Sequence, residues 1–211
     1  MSPGAGSATS QAQRRRPNRR GEGNRLRDEL ITAAMAIIEA PGDEQVSLRS
    51  VARRVGIAAT SVYLHFPDVD HLLAAVMQRC FDDLTRATTR AASQSADPVD
   101  ELRRRCRAYC HFALEHPELY QVMFRADLPA VLAADPNNTP GRQSFANLVA
   151  AVQRCLESGA ALPHDDPFRL ASLIWTAEHG IVLARISRPA FPWAPLDALI
   201  DEMIDKMMGL R

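Results

Sequence analysis

The stretch Ala59-Thr60-Ser61-Val62-Tyr63-Leu64-His65-Phe66 concentrates side chains suited to reading and gripping a nucleic acid. The hydroxyls of Thr60 and Ser61 can hydrogen-bond base edges, and the Ala59 methyl suits a thymine methyl. Tyr63 and His65, with Ser47 and Arg49 a little upstream, are of the types that bind phosphate oxygens and fix register. Positions 58–66 hold neither Arg nor Lys, so the bidentate guanine contact is missing there. Modest base specificity, supplemented by an N-terminal arm or by DNA shape, is the expectation.

Other chemistries fit less well. Cys106 and Cys110 stand at i, i+4 with His111 adjacent, while Cys80 and Cys155 lie elsewhere. A soft-metal or redox sensor can be built this way. The same spacing is ordinary for a helix core, and free cysteine is among the most buried residue types. No metal site or cofactor is therefore assigned. The chain has no Gly-rich phosphate loop, nucleophile elbow or His-Glu-x-x-His. The carboxylates are expected on solvent faces, and no catalytic residues are assigned. A helical enzyme is the disfavoured alternative.

The candidate DNA-reading residues need a scaffold. Leu48, Val51, Ala52 and Val55 form one apolar helical face, Ser47 stands at the N-cap, and Gly56 supplies the stop. A second short helix, about Ala58 to Leu64, turns Val62 and Phe66 inward. That is a helix-turn-helix plan. The run from Leu26 to about Leu84 resembles the N-terminal domain of the TetR family of transcriptional regulators. The resemblance is carried by a helix over 24–40, Ser-Leu-Arg-x-Val-Ala, Val-Gly-Ile, Val-Tyr-x-His-Phe-Pro, and Asp-Val-Asp-His-Leu-Leu opening a long helix. It departs at Ala58, where the family often has Ser or Thr, and at Val69, where it commonly has Lys. These changes remove a capping hydroxyl and a phosphate contact.

At 211 residues, with 46% hydrophobic and 24% charged residues, the composition is that of an ordinary globular chain. No apolar run approaches the ~20 residues of a membrane span, and no h-region follows the N-terminal arginines. A cytoplasmic protein is expected. The net charge of zero hides a split. Residues 1–67 hold ten Arg against six Asp and Glu, whereas 68–211 hold fifteen Lys and Arg against nineteen Asp and Glu. A basic end suits a polyanion.

Residues 1–23 read as a disordered Arg-rich arm, either a DNA-contacting extension or an inert tail. Residues 24–84 make the helix-turn-helix domain, and 85–211 an effector-binding and dimerisation domain. About nine helices and no convincing strand give an all-α fold. They include Asp68–Ala92, Val99–Glu115, Glu118–Phe124, a helix over 141–158, Phe168–Ile186 and Leu196–Met208, with an Asp127–Pro140 loop.

The helix Phe168–Ile186 is apolar almost all round and needs cover on every side. With the last helix it could form a four-helix interface through Ile174, Ile181, Leu199, Met203 and Met207, giving a homodimer. Alternatively, both helices are buried within one subunit. Asp201, Glu202 and Asp205 are expected opposite the apolar face of the last helix.

Ala108–Phe124 and Ile174–Val182 are similar to the ligand-binding domain of a TetR subgroup named for its Trp/His-Gly motif. That similarity implies an effector pocket. Tyr109, Phe112, Tyr120, Met123, Phe124, Phe145, Trp175 and His179 are the candidates, suited to a small apolar or aromatic effector. His179 is either an effector donor or a satisfied core histidine at a close helix crossing that Gly180 permits. The expected function is a homodimeric, ligand-responsive regulator, a repressor released from a pseudo-palindromic operator by its effector. A DNA-binding regulator without an effector, or an activator, remains the alternative.

Overall fold

Capping side chains mark the starts of four of the nine described helices. The computed structural model describes residues 22–42, 45–124, 139–162 and 166–210; residues 1–21 of the arm expected over 1–23 and most of the Asp127–Pro140 loop lie outside them, while Glu22 and Gly23 already belong to the first helix. The described residues contain nine helices and no strand. None of these helices is long and apolar enough to cross a membrane.

Helix α1 (Glu22–Ile38) buries Leu30, Ile31, Ala34 and Ile37, which share one face at 3.6-residue periodicity. Helix α2 (Leu48–Val55) opens on a reciprocal capping box. The Ser47 hydroxyl accepts the Ser50 N–H at 3.0 Å, and the Ser50 hydroxyl accepts the Ser47 N–H at 2.9 Å. Gly56 ends the helix at φ 77°, a left-handed conformation that favours glycine. Helix α3 (Ala59–Val62) is shorter than the expected span to Leu64. No side chain caps its start, because Ala58 lacks a hydroxyl, and residues 63–65 continue as a turn.

Asp68 caps α4 (Val69–Ala92) by accepting the His71 N–H at 2.9 Å. Those His71 hydrogen bonds hold the Asp68 carboxyl below its usual range. Asp97 caps α5 (Pro98–Glu115), whose first residue is proline. After α6 (Pro117–Met123) come α7 (Arg142–Glu157), α8 (Pro167–Ser187, capped by Asp166) and α9 (Leu196–Met208). Helix α4 packs on both α1 and α5, and Arg79 in its first half pairs with Asp28 of α1.

Two expectations change. Asp201 and Asp205 do not simply face solvent: with Asp197 they form an antiparallel ladder to His111, Arg107 and Arg103 on α5. Arg107 Nε meets Asp201 at 2.8 Å and His111 Nε2 meets Asp197 at 2.8 Å, so α9 is registered on α5 turn by turn. The single apolar face expected for α9 is also graded. Ile200, Ile204 and Met208 are buried in the protomer, whereas Leu199, Met203 and Met207 remain half-buried.

Candidate nucleic-acid interface and ligand cavity

Two inward anchors hold α3. Val62 and Phe66 are essentially inaccessible, and the Arg27 guanidinium stands 5.0 Å above the Phe66 ring, a cation–π contact. That anchoring turns Thr60 and Tyr63 outward, with Ala59, Ser61 and His65 half-buried beside them. Leu64 is 85% exposed, the most exposed large apolar side chain in the described protein. It was not among the expected contact residues. The signal was available, since Leu64 lies two residues from each inward anchor. Arg49, Arg53 and Arg54 are exposed on α2 and place positive charge beside α3. Ser47 is placed differently from a free phosphate ligand: its half-buried hydroxyl is engaged with Ser50 in the cap.

A helix, a left-handed glycine turn and a second helix with outward hydroxyls lie at the start of the chain. Six further described helices, α4 to α9, lead from that plan to a C-terminal bundle. The description "Bacterial regulatory proteins, tetR family" matches residues 30–76, and "Tetracyclin repressor-like, C-terminal domain" matches residues 102–208. The chain belongs to the TetR family. It is a DNA-binding transcriptional regulator.

This regulator is 28% identical over 164 residues to the HTH-type transcriptional repressor KstR of Mycobacterium tuberculosis, covering 78% of this chain and 72% of KstR. It is 27% identical over 132 residues to the HTH-type transcriptional activator FasR of Mycolicibacterium smegmatis, covering 60% of each. Among solved structures, a protein of unknown function from Rhodococcus sp. RHA1 superposes with a TM-score of 0.72 at 27% identity, covering 88% of this chain and 95% of that one.

The C-terminal bundle of this TetR-family regulator forms a half-open cavity of about 560 Å³, within the range typical of small-molecule sites. Helix α4 contributes Met77, Phe81, Leu84 and Thr88 to its wall, and α5 contributes Arg105 and Tyr109. Met123 and Phe124 close it from the end of α6, Phe145 and Leu148 from α7, and Trp175 and Thr176 from α8. Five of the eight expected pocket residues therefore line it: Tyr109, Met123, Phe124, Phe145 and Trp175.

Phe112, Tyr120 and His179 do not line the cavity. Tyr120 is fully buried, its hydroxyl 2.8 Å from the Tyr109 hydroxyl and 2.6 Å from His179 Nδ1. Burial lowers the His179 pKa, and its ring shares one hydrogen bond with the Tyr120 hydroxyl. His179 stacks on Trp175 at 5.5 Å and meets Phe124 edge-on at 4.6 Å. It is a satisfied histidine supporting the wall. Phe112 packs on His116, at 5.1 Å between ring centroids.

Gly180 permits no close crossing inside the protomer, because a Cβ built there meets nothing within 4 Å. Ile174 is 0% exposed and belongs to the protomer core, so it cannot reach a partner surface. The exposed apolar side chains of α8 are instead Phe168, Leu173 and Leu183, with Ile181 half-buried.

The expectation that carboxylates lie on solvent faces fails at Glu178. It is 2% exposed, and burial pushes its pKa up to about 8, opposed by the Cys106 thiol and Arg105. The sequence carried a signal: Glu178 sits between Ile174 and Val182 on the buried stripe of α8. Arg105 is likewise buried, its Nη2 3.4 Å from Glu101. Cys106 and Cys110 are buried free thiols whose pKa values burial raises, and burial lifts Cys80 to about 12. Such thiols stay protonated at neutral pH. Among the described residues no group of three or more His, Cys, Asp or Glu is placed to hold a metal.

Proposed function

We propose that this regulator is a cytoplasmic homodimeric repressor, released from a pseudo-palindromic operator when a small apolar or aromatic effector enters the cavity. One observation carries the reading. The helix whose side chains Met77, Phe81, Leu84 and Thr88 wall the cavity is the helix that Asp68 caps immediately after the helix-turn-helix. A molecule that prefers one setting of α4 shifts the protein toward that setting, by no more than its differential affinity. KstR, a repressor, supports the sign; FasR, an activator, is the specific reason to test it.

On the DNA side, Thr60 and Ser61 hydrogen-bond base edges and Ala59 offers its methyl. Tyr63, His65 and Arg49 grip phosphates, and the exposed Leu64 adds apolar contact. Ser47 acts by fixing the start of α2, and through it the approach of α3. The partner protomer covers the outward apolar face of α8 together with Leu199, Met203 and Met207 of α9. Gly180 allows the two α8 helices to approach closely.

The full-length protein is to be footprinted on the intergenic DNA beside its own gene. One dimer should protect two half-sites about 34–36 Å apart. Compounds that raise the melting temperature should weaken that protection, and in vitro transcription from the adjoining promoter should fall when protein is added. Binding as a monomer, or operator affinity indifferent to every stabilising compound, would overturn the reading. Increased transcription would transfer the protein to the activators.

A further inference from the structure

The polar groups on the cavity wall divide into those already occupied and those left over. Thr88 donates to the Thr85 carbonyl at 3.1 Å, Ser172 to Phe168 at 2.8 Å and Thr176 to Ser172 at 2.8 Å. The Tyr109 hydroxyl is engaged with Tyr120, and Arg142 has an interaction of its own. Arg105 and Glu178 differ. Arg105 Nε and Nη1 and Glu178 Oε1 are sealed from solvent and have no hydrogen-bond partner among the described residues. Both side chains are more than nine-tenths buried, and both line the cavity. No ion pair joins them. Buried polar groups in native proteins are nearly always paired, so three such atoms from two facing helices ask for a partner.

We propose that the cavity recognises an apolar monocarboxylate, its carboxylate seated between Arg105 and Glu178 and its hydrocarbon body among Phe81, Phe124, Phe145 and Trp175. The proposal rests on the effector reading of the cavity and adds the chemistry of the effector. Charge decides between acid, alcohol and amine. Arg105 and Arg154 share one carboxylate, Glu101, which burial would raise but the two guanidiniums hold below its usual range. Glu178 is protonated at neutral pH, so the carboxylate beside the Arg105 guanidinium is Glu101, 3.4 Å away and shared with Arg154, and the Arg105 charge is incompletely balanced. A carboxylate neutralises it, accepting from Arg105 while Glu178 donates its proton. An ammonium would face the guanidinium, and an alcohol would leave the charge unanswered. Small rotations of Arg105 and Glu178, of the kind that commonly accompany binding, turn the sealed atoms into the cavity.

The test compares matched probes on the full-length protein by calorimetry and thermal shift: decanoate, decanol and decylammonium, and biphenyl-4-carboxylate with its alcohol and methylammonium counterparts. At pH 7 at least one acid should bind about tenfold or more tighter than its alcohol and its amine. Arg105→Met should weaken that acid about 30-fold and leave the alcohol nearly unchanged. Acid affinity should also fall as pH rises past about 8, the pKa of Glu178, and Glu178→Gln should abolish that fall. Cys106, Cys110 and Tyr109 on α5 and Tyr120 on α6 face Glu178, and burial raises the pKa of each. They do not compete for the assignment. Burial lowers the pKa of His179, next in the chain. Alcohols or amines binding as tightly as the acids would overturn the acid proposal and leave the effector reading standing. Silence from all six probes would overturn both. The wild-type comparison decides the matter even if Arg105→Met fails to fold.

Discussion

Replacing Glu178 by glutamine should change how the protein's stability depends on pH, in a direction and over a window set by the structure. In the folded chain Glu178 titrates near about 8, against 4.5 for the unperturbed group, because burial disfavours the carboxylate more than Cys106 and Arg105 favour it. Between those values the native state holds a proton that the unfolded state has lost. Stability from this group is thus fully present below pH 4.5 and is lost as pH rises toward 8. The slope is about 1.4 kcal/mol per pH unit, and by pH 7 the loss is on the order of 3 kcal/mol. Glutamine matches the protonated acid in shape and does not titrate.

The assay is denaturation of wild type and Glu178→Gln at one protomer concentration, in half-unit steps from pH 5 to 9. The amide's own hydrogen bonding adds a constant offset, so the diagnostic quantity is the change of the difference with pH. The glutamine protein should gain on wild type steadily from pH 5 to 8 and hold a constant lead beyond. At ~2–4 °C per kcal/mol for a chain of this size, the melting-temperature difference should widen by roughly 5–10 °C between pH 5 and 7. Parallel curves across that window would refute the buried, protonated state of Glu178.

Three further outcomes are expected. Gly180→Leu should dissociate the dimer in sedimentation velocity while leaving helicity intact, because the new side chain enters open space in the protomer; an unchanged dimer would remove this face of α8 from the interface. Gly56→Ala meets no steric contact but keeps φ at 77°, so it should cost about 1–2 kcal/mol in urea denaturation from strain alone. Arg49→Ala should weaken operator binding equally across sequences and reduce the salt slope by about 1, whereas Thr60→Ala should relax base preference and leave the slope unchanged.

Helix boundaries were legible in the sequence wherever a cap or a proline marks them. Asp68, Asp97 and Asp166 each accept a first-turn N–H, and Gly56 and Gly209 close helices in left-handed conformations. The α2 start was equally plain in Ser47. The length of α3 was harder to read, because Ala58 offers no cap and the turn through residues 63–65 keeps helical spacing for the anchors Val62 and Phe66. Within the bundle, aromatic identity did not separate wall from support. Tyr109 and Tyr120 sit on successive helices with touching hydroxyls, yet only Tyr109 reaches the cavity. That distinction depends on how α6 crosses α5, which no local pattern encodes. The α5–α9 ladder illustrates the same limit: Asp197, Asp201 and Asp205 look like a solvated stripe until α5 supplies the opposite charges.

The packing around α4 shows where a signal from the cavity would have to travel. Phe81 faces the cavity and meets Phe124 edge-on at 5.6 Å, so a ligand body that moves either ring acts on α4 directly. From Phe81 to the Asp68 cap is roughly 20 Å of continuous helix at 1.5 Å per residue. A tilt of about 10° at Phe81 therefore displaces the start of α4 by roughly 3 Å. Two ties make α1 follow. Arg79 on α4 pairs with Asp28 at 3.1 Å, and Glu39, just past α1, meets His116 at the α5–α6 junction at 2.7 Å. The first tie carries α1 with α4; the second anchors its other end to the bundle. In the proposed switch these ties make tilting of α4 a rotation of the whole helix-turn-helix about the α1 end, rather than a local bend. The two recognition elements of a dimer would then leave the spacing of a half-site pair together, which is how a sub-ångström change at a packed ring becomes loss of operator binding.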